Sequence, residues 1–143
     1  MKIEVLDKNY VNDIHLIDKS AFHDYWTAEN FLCDIATDTR CYLGLFENQK
    51  LVAYLSLNTV LDESDVIRIA VDKEYQGKGY GKELLTYSFQ YLKILGVNKI
   101  MLEVSDINDR AIGLYKSLGF KQIFVRKKYY SDGSNALIFE KIL

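Results

Sequence analysis

A glycine-rich turn between a strand-like run and an amphipathic helix limits the architectures open to this chain. Residues 66–71 (VIRIAV) are typical of a strand, and residues 82–95 repeat apolar side chains at helical spacing. Residues 76–81 (QGKGYG), called the glycine turn below, lie between the two. Closely spaced glycines let the backbone approach a ligand, and free N–H groups at the start of a helix attract anions. The glycine turn therefore predicts a phosphate-binding site. The alternative is a strand-to-helix turn that binds nothing.

Three familiar phosphate-binding motifs do not fit the glycine turn. A dinucleotide-binding loop would need a glycine where Lys82 stands. A P-loop would need a glycine where Gln76 stands and a serine or threonine where Glu83 stands. The chain is too short for a protein kinase and lacks that class's companion motifs. The pattern that remains is Q-x-x-G-x-G, formed by Gln76, Gly79 and Gly81.

The rest of the chain alternates strand-like and helix-like segments. The predicted strands are residues 2–6, 41–46, 51–57, 66–71, 99–104, 122–130 and 136–143. The predicted helices are residues 11–22, a short helix capped by Thr27 with Phe31, Leu32 and Ile35 facing inward, residues 82–95, and residues 109–118 capped by Asn108. The order β-α-α-β-β-β-α-β-α-β-β predicts a mixed α/β sheet, antiparallel at first and with helical crossovers later. No linker or repeat interrupts the pattern, so we expect one domain over residues 1–143.

The composition excludes several classes of protein. Of the 143 residues, 49% are hydrophobic and 27% are charged, which is ordinary for a globular domain and excludes a disordered chain. The net charge of -2 shows no basic excess, so we expect no nucleic-acid partner. The apolar runs are too short to span a membrane, and the N-terminus lacks the apolar run of a signal peptide. We therefore expect a cytoplasmic protein that does not associate with membranes.

The cysteines and histidines suggest no further chemistry. Cys33 and Cys41 do not make a disulfide framework, and we expect both to be reduced. His15 and His23 have no partner at ligand spacing, so no metal site is predicted.

The glycine turn and the segments after it resemble the GCN5-related N-acetyltransferases, which bind the pyrophosphate of acetyl-CoA with a Q/R-x-x-G-x-G/A turn. The resemblance covers most of the chain and is strongest from Val60 to the C-terminus. The matching segments are VLDES, IAVDKEYQGKGYGKELL, LEVSDINDRAIGLYKSLGF and the double tyrosine of KKYYSDG. Within that family, the chain is similar to the bacterial RimI type, which acetylates the N-terminal alanine of a small-subunit ribosomal protein. The resemblance implies the family's single-domain fold, acetyl-CoA as co-substrate and a protein N-terminus as partner.

The implied reaction is acyl transfer from a thioester to an amine, which needs a base and an acid. The family match at LEV makes Glu103 the candidate base, and the match at GLYKSLGF makes Tyr115 the candidate acid. A free glutamate has a pKa of about 4.3, which is low for this task, so we expect Glu103 to be buried. From the residues alone, Glu103 could be a solvent-facing strand residue, and Tyr115 could be an aromatic packing inside its helix.

The resemblance also assigns the cofactor contacts. The strand residues Ile69, Ala70 and Val71 are expected to lie beside the acetyl-pantetheine group. Asn108 is a helix cap by its chemistry, and in the resembling family this asparagine also contacts the pantetheine arm. The residues expected to cover the pyrophosphate, mainly through backbone N–H groups, are Gln76, Gly77, Lys78, Gly79, Tyr80, Gly81 and Lys82.

In N-terminal acetyltransferases of this family, the acceptor peptide enters between two loops. Here those loops are residues 22–27 (FHDYWT) and 129–134 (YYSDGS). Trp26, Tyr129 and Tyr130 match the aromatic residues that contact the peptide there. Each could instead be a half-buried aromatic that anchors its loop.

Three residues depart from the family's pattern. Ser131 follows the tyrosine pair where a proline is usual, so we expect a less rigid loop. Asn135 replaces an acidic residue, and Arg68 stands where a smaller polar residue is usual. These departures concern peptide preference more than the reaction. A separate hypothesis is that Asp62, Glu63 and Asp65 attract a basic N-terminus.

Three functional interpretations remain open on the sequence. The first is an N-terminal α-amine acetyltransferase with an alanine-first ribosomal protein as substrate. The second is an acetyltransferase for a small-molecule amine or a lysine side chain. The third is a coenzyme-A-binding module without useful catalysis, against which Glu103 and Tyr115 argue.

Overall fold

The computed structural model describes all residues, 1–143, and contains one seven-stranded sheet in the order β1-β2-β3-β4-β5-β7-β6. The strands are β1 (Lys2–Leu6), β2 (Arg40–Glu47), β3 (Lys50–Val60), β4 (Glu63–Val71), β5 (Lys99–Ser105), β6 (Lys121–Arg126) and β7 (Ala136–Ile142). The helices are α1 (Val11–Ala21), α2 (Ala28–Ile35), α3 (Tyr80–Ile94) and α4 (Asp109–Ser117). The predicted order of strands and helices, and with it the mixed α/β fold class, is confirmed. None of the four helices combines the length and the apolar composition that spanning a bilayer requires.

The ends of the short helices follow from local capping chemistry. The Thr27 hydroxyl accepts a hydrogen bond from the Asn30 amide, and the Asn30 side chain accepts one from the Thr27 amide, so α2 begins with a capping box. At the end of α4, Gly119 adopts a left-handed φ of 91°. The Phe120 amide then donates to the Tyr115 carbonyl, and the Phe120 ring packs on Tyr115 with centroids 5.9 Å apart. This Schellman ending locks the ring of Tyr115 in place.

Two of the predicted details were wrong. Leu32 does not face inward, because it lies on the solvent side of α2 and is 49% exposed, whereas Phe31 beside it is fully buried. The last hairpin has a longer connection than residues 131–134, since β6 ends at Arg126 and β7 begins at Ala136. We call residues 127–135 the β6–β7 loop.

Helices cover the sheet unevenly. On one face, α3 and α4 pack over a large core that includes Leu55, Leu85 and Phe139. On the other face, α1 and α2 pack over β1 to β4, around Phe31 and Tyr54. No helix lies over β5, β6 and β7 on this second face, so side chains there are open to solvent.

The sheet is split between β4 and β5. These two strands are parallel, and they pair only where residues 63–65 face residues 99–101. A register shift in the β3–β4 pairing leaves Ile67 as an extra residue just beyond this point, and such a bulge bends and twists its strand. The outer edges of both strands remain paired, β4 with β3 and β5 with β7. Beyond residue 65, the inner edge of β4 therefore has no strand partner.

We predict opposite effects on stability for two glycine-to-alanine changes. Gly44 lies in β2, where an added Cβ would stand 2.6 Å from a Leu51 methyl group and 2.7 Å from Leu6. Gly44→Ala should lower the free energy of unfolding by about 1–3 kcal/mol through overpacking. Gly113 lies in the exposed part of α4 with nothing within 4 Å of an added Cβ. Gly113→Ala should therefore raise the free energy of unfolding by about 0.5–1 kcal/mol. Urea unfolding of the two variants measures both changes, and shifts of the same sign would contradict the packing described for Gly44.

Candidate active site

The glycine turn presents unpaired backbone N–H groups at the start of α3. Gly77 and Gly79 have left-handed φ angles of 83° and 81°, and an alanine at either position would be strained. Gly79 is the N-cap of α3 and has no side chain to occupy the helix end. The first backbone donor of the helix is Glu83, whose amide donates to the Gly79 carbonyl at 3.0 Å. The backbone amides of residues 79–82 donate to no group of the protein, so they are free to bind an anion.

The side chains around the glycine turn brace it. Gln76 Nε2 donates to the carbonyl of Val71 at 3.0 Å and ties the turn to the end of β4. The Tyr80 ring stacks on Tyr75, and its hydroxyl donates to Glu47 in the β2–β3 hairpin. The ammonium group of Lys78 lies 5.2 Å from the centroid of Tyr75. These contacts fix the position of the glycine turn relative to β4 and the β2–β3 hairpin.

The turn follows directly from the open edge of β4. Ala70 is buried against the α1–α2 core, whereas Ile69 and Val71 pack on the α3 side. An added Cβ at Gly81 would lie 3.9 Å from both Ile69 and Val71, so α3 begins in contact with this strand. The backbone of β4 here has one edge without a strand partner, and an extended ligand can pair with such an edge.

Glu103 lies on β5, on the face that carries no helix. Its neighbours Leu102 and Val104 are buried in the α3–α4 core, so Glu103 points to the opposite face. Glu103 is exposed, and the expectation that it is buried was wrong. Burial and the nearby Glu103 carboxylate raise the pKa of Tyr130 to about 12. Glu103 and Tyr130, which are 27 positions apart in the sequence, therefore lie close enough for their charges to interact.

Tyr115 belongs to the core on the other face of the sheet. Its ring is buried beneath α4, and burial raises the pKa of its hydroxyl, which therefore stays protonated at neutral pH. No buried polar side-chain atom in the structure lacks a hydrogen-bond partner, and the Tyr115 hydroxyl makes no hydrogen bond within the protein. The hydroxyl is therefore not completely buried, although most of the residue is. Asn108 caps the same helix, since its side chain accepts from the Ala111 amide at 3.2 Å.

Hydrogen bonds fix the β6–β7 loop in place of the missing proline. The side-chain oxygen of Asn135 accepts from the Lys128 amide at 2.9 Å, while its nitrogen donates to Asp106 at 2.8 Å. An acidic residue at this position could not donate to Asp106, which accounts for the asparagine. In the same loop, the Tyr129 and Tyr130 rings stand nearly perpendicular with centroids 5.2 Å apart.

A buried ion pair, which sequence reasoning missed, holds the loop between α1 and α2 (residues 22–27, the α1–α2 loop). The Asp18 side chain is fully buried and receives Nε and Nη2 of Arg68 at 2.8 and 3.0 Å. It also accepts from the Tyr54 hydroxyl at 2.5 Å and from the Trp26 amide at 2.8 Å. The Arg68 guanidinium lies 4.4 Å from the ring centroid of Phe22 and 5.2 Å from that of Trp26. Two signals could have pointed to this pair: a charge within the apolar run VIRIAV, and Asp18 at core spacing on an otherwise apolar helix face.

The three acidic residues near the start of β4 differ in their surroundings. Asp62 accepts a hydrogen bond from Asn98 at 3.2 Å, and Glu63 forms an ion pair with Lys99 at 3.0 Å. Asp65 lies opposite Met101, two residues before Glu103 on the neighbouring strand, and burial followed by the Glu63 carboxylate raises its pKa. Attraction of a basic N-terminus by these acids stays a prediction. No cluster of three or more His, Cys, Asp or Glu side chains that could hold a metal ion is present.

Comparison with known proteins supplies the family. The model of the acetyltransferase (GNAT) family matches residues 9–120, which is most of the chain. The chain belongs to this acetyltransferase family. Members of the family use acetyl-CoA as the acetyl donor, so the chain is an N-acetyltransferase, and the family resemblance drawn from the glycine turn is confirmed.

Relatives of this acetyltransferase align along between 62% and 95% of its length. The [ribosomal protein bS18]-alanine N-acetyltransferase of Haemophilus ducreyi is 35% identical over 142 residues, covering 95% of this chain and 96% of the relative. The protein of the same name from Escherichia coli is 42% identical over 91 residues, or 62% of each chain. The crystal structure of the ribosomal-protein-S18-alanine N-acetyltransferase from Escherichia coli superposes with a TM-score of 0.92 at 32% identity, covering 99% of this chain and 92% of that one.

We predict that Gly79→Ala weakens the binding of coenzyme A about 5- to 30-fold, the equivalent of 1–2 kcal/mol of left-handed strain. The strain should displace the free amides at the start of α3. Gly96→Ala is the matched control, because Gly96 lies just past the other end of the same helix with a φ of 87° and equally open surroundings. Isothermal titration with coenzyme A measures both affinities. Equal losses in the two variants would mean that the glycine turn does not hold the cofactor.

Proposed function

We propose that this acetyltransferase transfers the acetyl group of acetyl-CoA to the N-terminal α-amine of a protein that begins with alanine, the bS18 protein of the small ribosomal subunit being the first candidate. The observation that carries the proposal is the similarity to a [ribosomal protein bS18]-alanine N-acetyltransferase over 95% of the chain. The electrostatic influence of Glu103 on Tyr130 supports it, because it indicates that a tyrosine of the double-tyrosine motif lies near the candidate base.

In this proposal, acetyl-CoA enters the split between β4 and β5. The backbone amides of the glycine turn and of Lys82 bind the pyrophosphate, and the lysines Lys78 and Lys82 add positive charge. The pantetheine arm pairs with the open edge of β4 at residues 69–71 and contacts Asn108. A backbone N–H of this strand donates to the acetyl carbonyl, where it stabilises the negative charge that develops during acyl transfer.

The chemistry needs two protons taken from the ammonium group, one before and one after it attacks, and one proton given to sulfur. An α-ammonium group has a pKa of about 7.7–8.0, so at neutral pH most of the acceptor is charged and must lose a proton. Glu103 takes this proton, directly or through a water molecule. The neutral amine attacks the acetyl carbon to form the new C–N bond, the nitrogen then releases its second proton to Glu103, which has passed the first to solvent, and the C–S bond breaks. Exchange with solvent restores the proton that Tyr115 gives to sulfur and leaves one proton released overall. Tyr115 donates a proton to the departing thiolate, a role its protonated state supports.

The face that carries Glu103 offers space for the end of a polypeptide. No helix covers β5 to β7 there, the β6–β7 loop connects two of these strands, and the α1–α2 loop is tied to the neighbouring strand β4 through Asp18 and Arg68. In the proposal, Trp26, Tyr129 and Tyr130 line the path of the peptide's first residues. A small-molecule amine or a lysine side chain is the second candidate acceptor, because the same scaffold serves many amines.

We predict that the enzyme acetylates an alanine-first peptide and leaves the same peptide unmodified when its N-terminus is blocked and an internal lysine is retained. The physical reason is that, in the proposal, both loops bind the peptide backbone next to the reacting amine. A lysine side chain has no backbone next to its amine. Release of free thiol from acetyl-CoA measures turnover. Turnover of the blocked peptide, or of a polyamine in a parallel assay, would instead identify the second candidate function.

We further predict that Glu103→Gln and Tyr115→Phe each lower kcat about 10²- to 10⁴-fold, because each removes one proton-transferring group. Binding of acetyl-CoA should be unchanged, which isothermal titration checks. Glu140→Gln is the matched control for Glu103→Gln, since Glu140 lies on the adjacent strand β7 opposite Met101. A Glu103→Gln enzyme with wild-type kcat would remove this residue from the proposed mechanism.

A further inference from the structure

We propose that Arg68 and Asp18 are positioning residues, which hold the α1–α2 loop beside the split sheet and thereby set the affinity for the acceptor. This inference rests on the proposed function, because it takes the α1–α2 loop to be one wall of the acceptor site. Neither residue takes part in the proton transfers.

The Asp18 carboxylate joins four parts of the fold. It belongs to α1 and binds Arg68 of β4, Tyr54 of β3 and the backbone amide of Trp26 in the α1–α2 loop. Each carboxylate oxygen accepts two hydrogen bonds, so its acceptor capacity is fully used. The loop therefore cannot shift without leaving a buried charge short of a partner, which is costly.

The guanidinium of Arg68 orients the aromatic side chains of the loop as well as its backbone. Its fork fits the carboxylate with two nitrogens, and its flat faces contact the rings of Phe22 and Trp26. A lysine would keep the charge, but it has neither the fork nor the plane. His15 adds a third tie, since its Nδ1 lies 2.9 Å from the Trp26 carbonyl oxygen.

The position of Arg68 couples the donor and acceptor sides of the site. Arg68 follows the last paired residue of β4, Asp65, by three positions, and Glu103 follows Met101 of β5 by two. The two residues therefore stand on opposite sides of the split at similar distances from its closed end. Arg68 also immediately precedes Ile69, the first of the strand residues assigned to the acetyl-pantetheine group. One strand thus serves the donor with its backbone edge and the acceptor loop with its side chain.

A second arginine–aspartate pair in the same molecule provides a matched control. Arg40 Nε lies 3.0 Å from Asp34, and the Tyr42 hydroxyl donates to the same carboxylate at 2.6 Å. The side chains of Arg40 and Arg68 are 23% and 19% exposed, so the two arginines are buried to a similar degree. The Arg40 pair joins the end of α2 to β2 and makes no hydrogen bond or ion pair with the α1–α2 loop.

The first readout is the fluorescence of Trp26, the chain's single tryptophan, which reports the position of the loop without any acceptor. We expect Arg68→Lys to shift the emission of Trp26 to longer wavelength and to increase the quenching of this emission by acrylamide, because the indole becomes more exposed to water. Arg40→Lys should leave both unchanged. If Arg68→Lys folds poorly, the double variant Asp18→Asn/Arg68→Gln replaces it, since it leaves no unpaired buried charge.

The second readout separates acceptor binding from donor binding. In Arg68→Lys, KM for the acceptor should rise about tenfold or more through misplacement of the loop, while KM for acetyl-CoA stays within about twofold of the wild type. Arg40→Lys should change neither constant. The acceptor is the alanine-first peptide or, if the wild type does not use it, whichever amine of the panel is turned over.

The outcomes distinguish this inference from the proposed function. Failure of the wild type on the alanine-first peptide overturns the proposed acceptor, and the fluorescence result still decides whether the ion pair holds the loop. Unchanged Trp26 fluorescence in Arg68→Lys overturns the positioning role. A displaced loop with an unchanged acceptor KM overturns the link to acceptor binding. An equal rise of the acceptor KM in Arg68→Lys and Arg40→Lys overturns it as well.

Discussion

The short pairing between β4 and β5 is the constraint on which the rest of the site depends. Three residues of each strand form the ladder, and the bulge at Ile67 then turns β4 away from β5. Were the ladder continuous, the backbone edge of residues 69–71 would be occupied and the glycine turn would face a closed sheet. In the proposed function, the split gives acetyl-CoA access to the edge of β4 and to the start of α3, while Glu103 lies on the helix-free face of the sheet. Local failure of sheet pairing is therefore the structural origin of the site.

The sequence predicted the elements well because their signals are local. Helical spacing, the caps at Thr27 and Asn108, and the stop at Gly119 act within a few residues, so the order of strands and helices could be read directly. The prediction that Glu103 is buried was wrong, because its burial depends on residues that are distant in the sequence. Whether a strand residue is covered depends on which helices cross its face, and no helix reaches β5 to β7 on that side. The split of the sheet depends on register between distant strands, which periodicity does not contain.

Arg68 shows the same limit for polar residues. In the sequence it was only a departure from the family's pattern, and its partner Asp18 gave no signal stronger than a charge at core spacing. Removing one member of a buried pair typically costs about 3–5 kcal/mol, yet replacing both with apolar residues is often neutral. Stability alone therefore does not explain why this pair stands in the core beside β4. Its geometric effect does, because the fork of Arg68 and the four hydrogen bonds of Asp18 allow a single placement of Trp26.

The two loops beside Glu103 reach the same result by different chemistry. The chain has no proline, so neither loop is stiffened by a fixed φ angle. The α1–α2 loop is held by a buried charge, and the β6–β7 loop by the amide of Asn135, which accepts from Lys128 and donates to Asp106. A wall that is ordered before the acceptor arrives spares the entropy of ordering it on binding. The departure at Asn135 thus compensates for the missing proline at Ser131 in the same loop, whereas Arg68 fixes the separate α1–α2 loop.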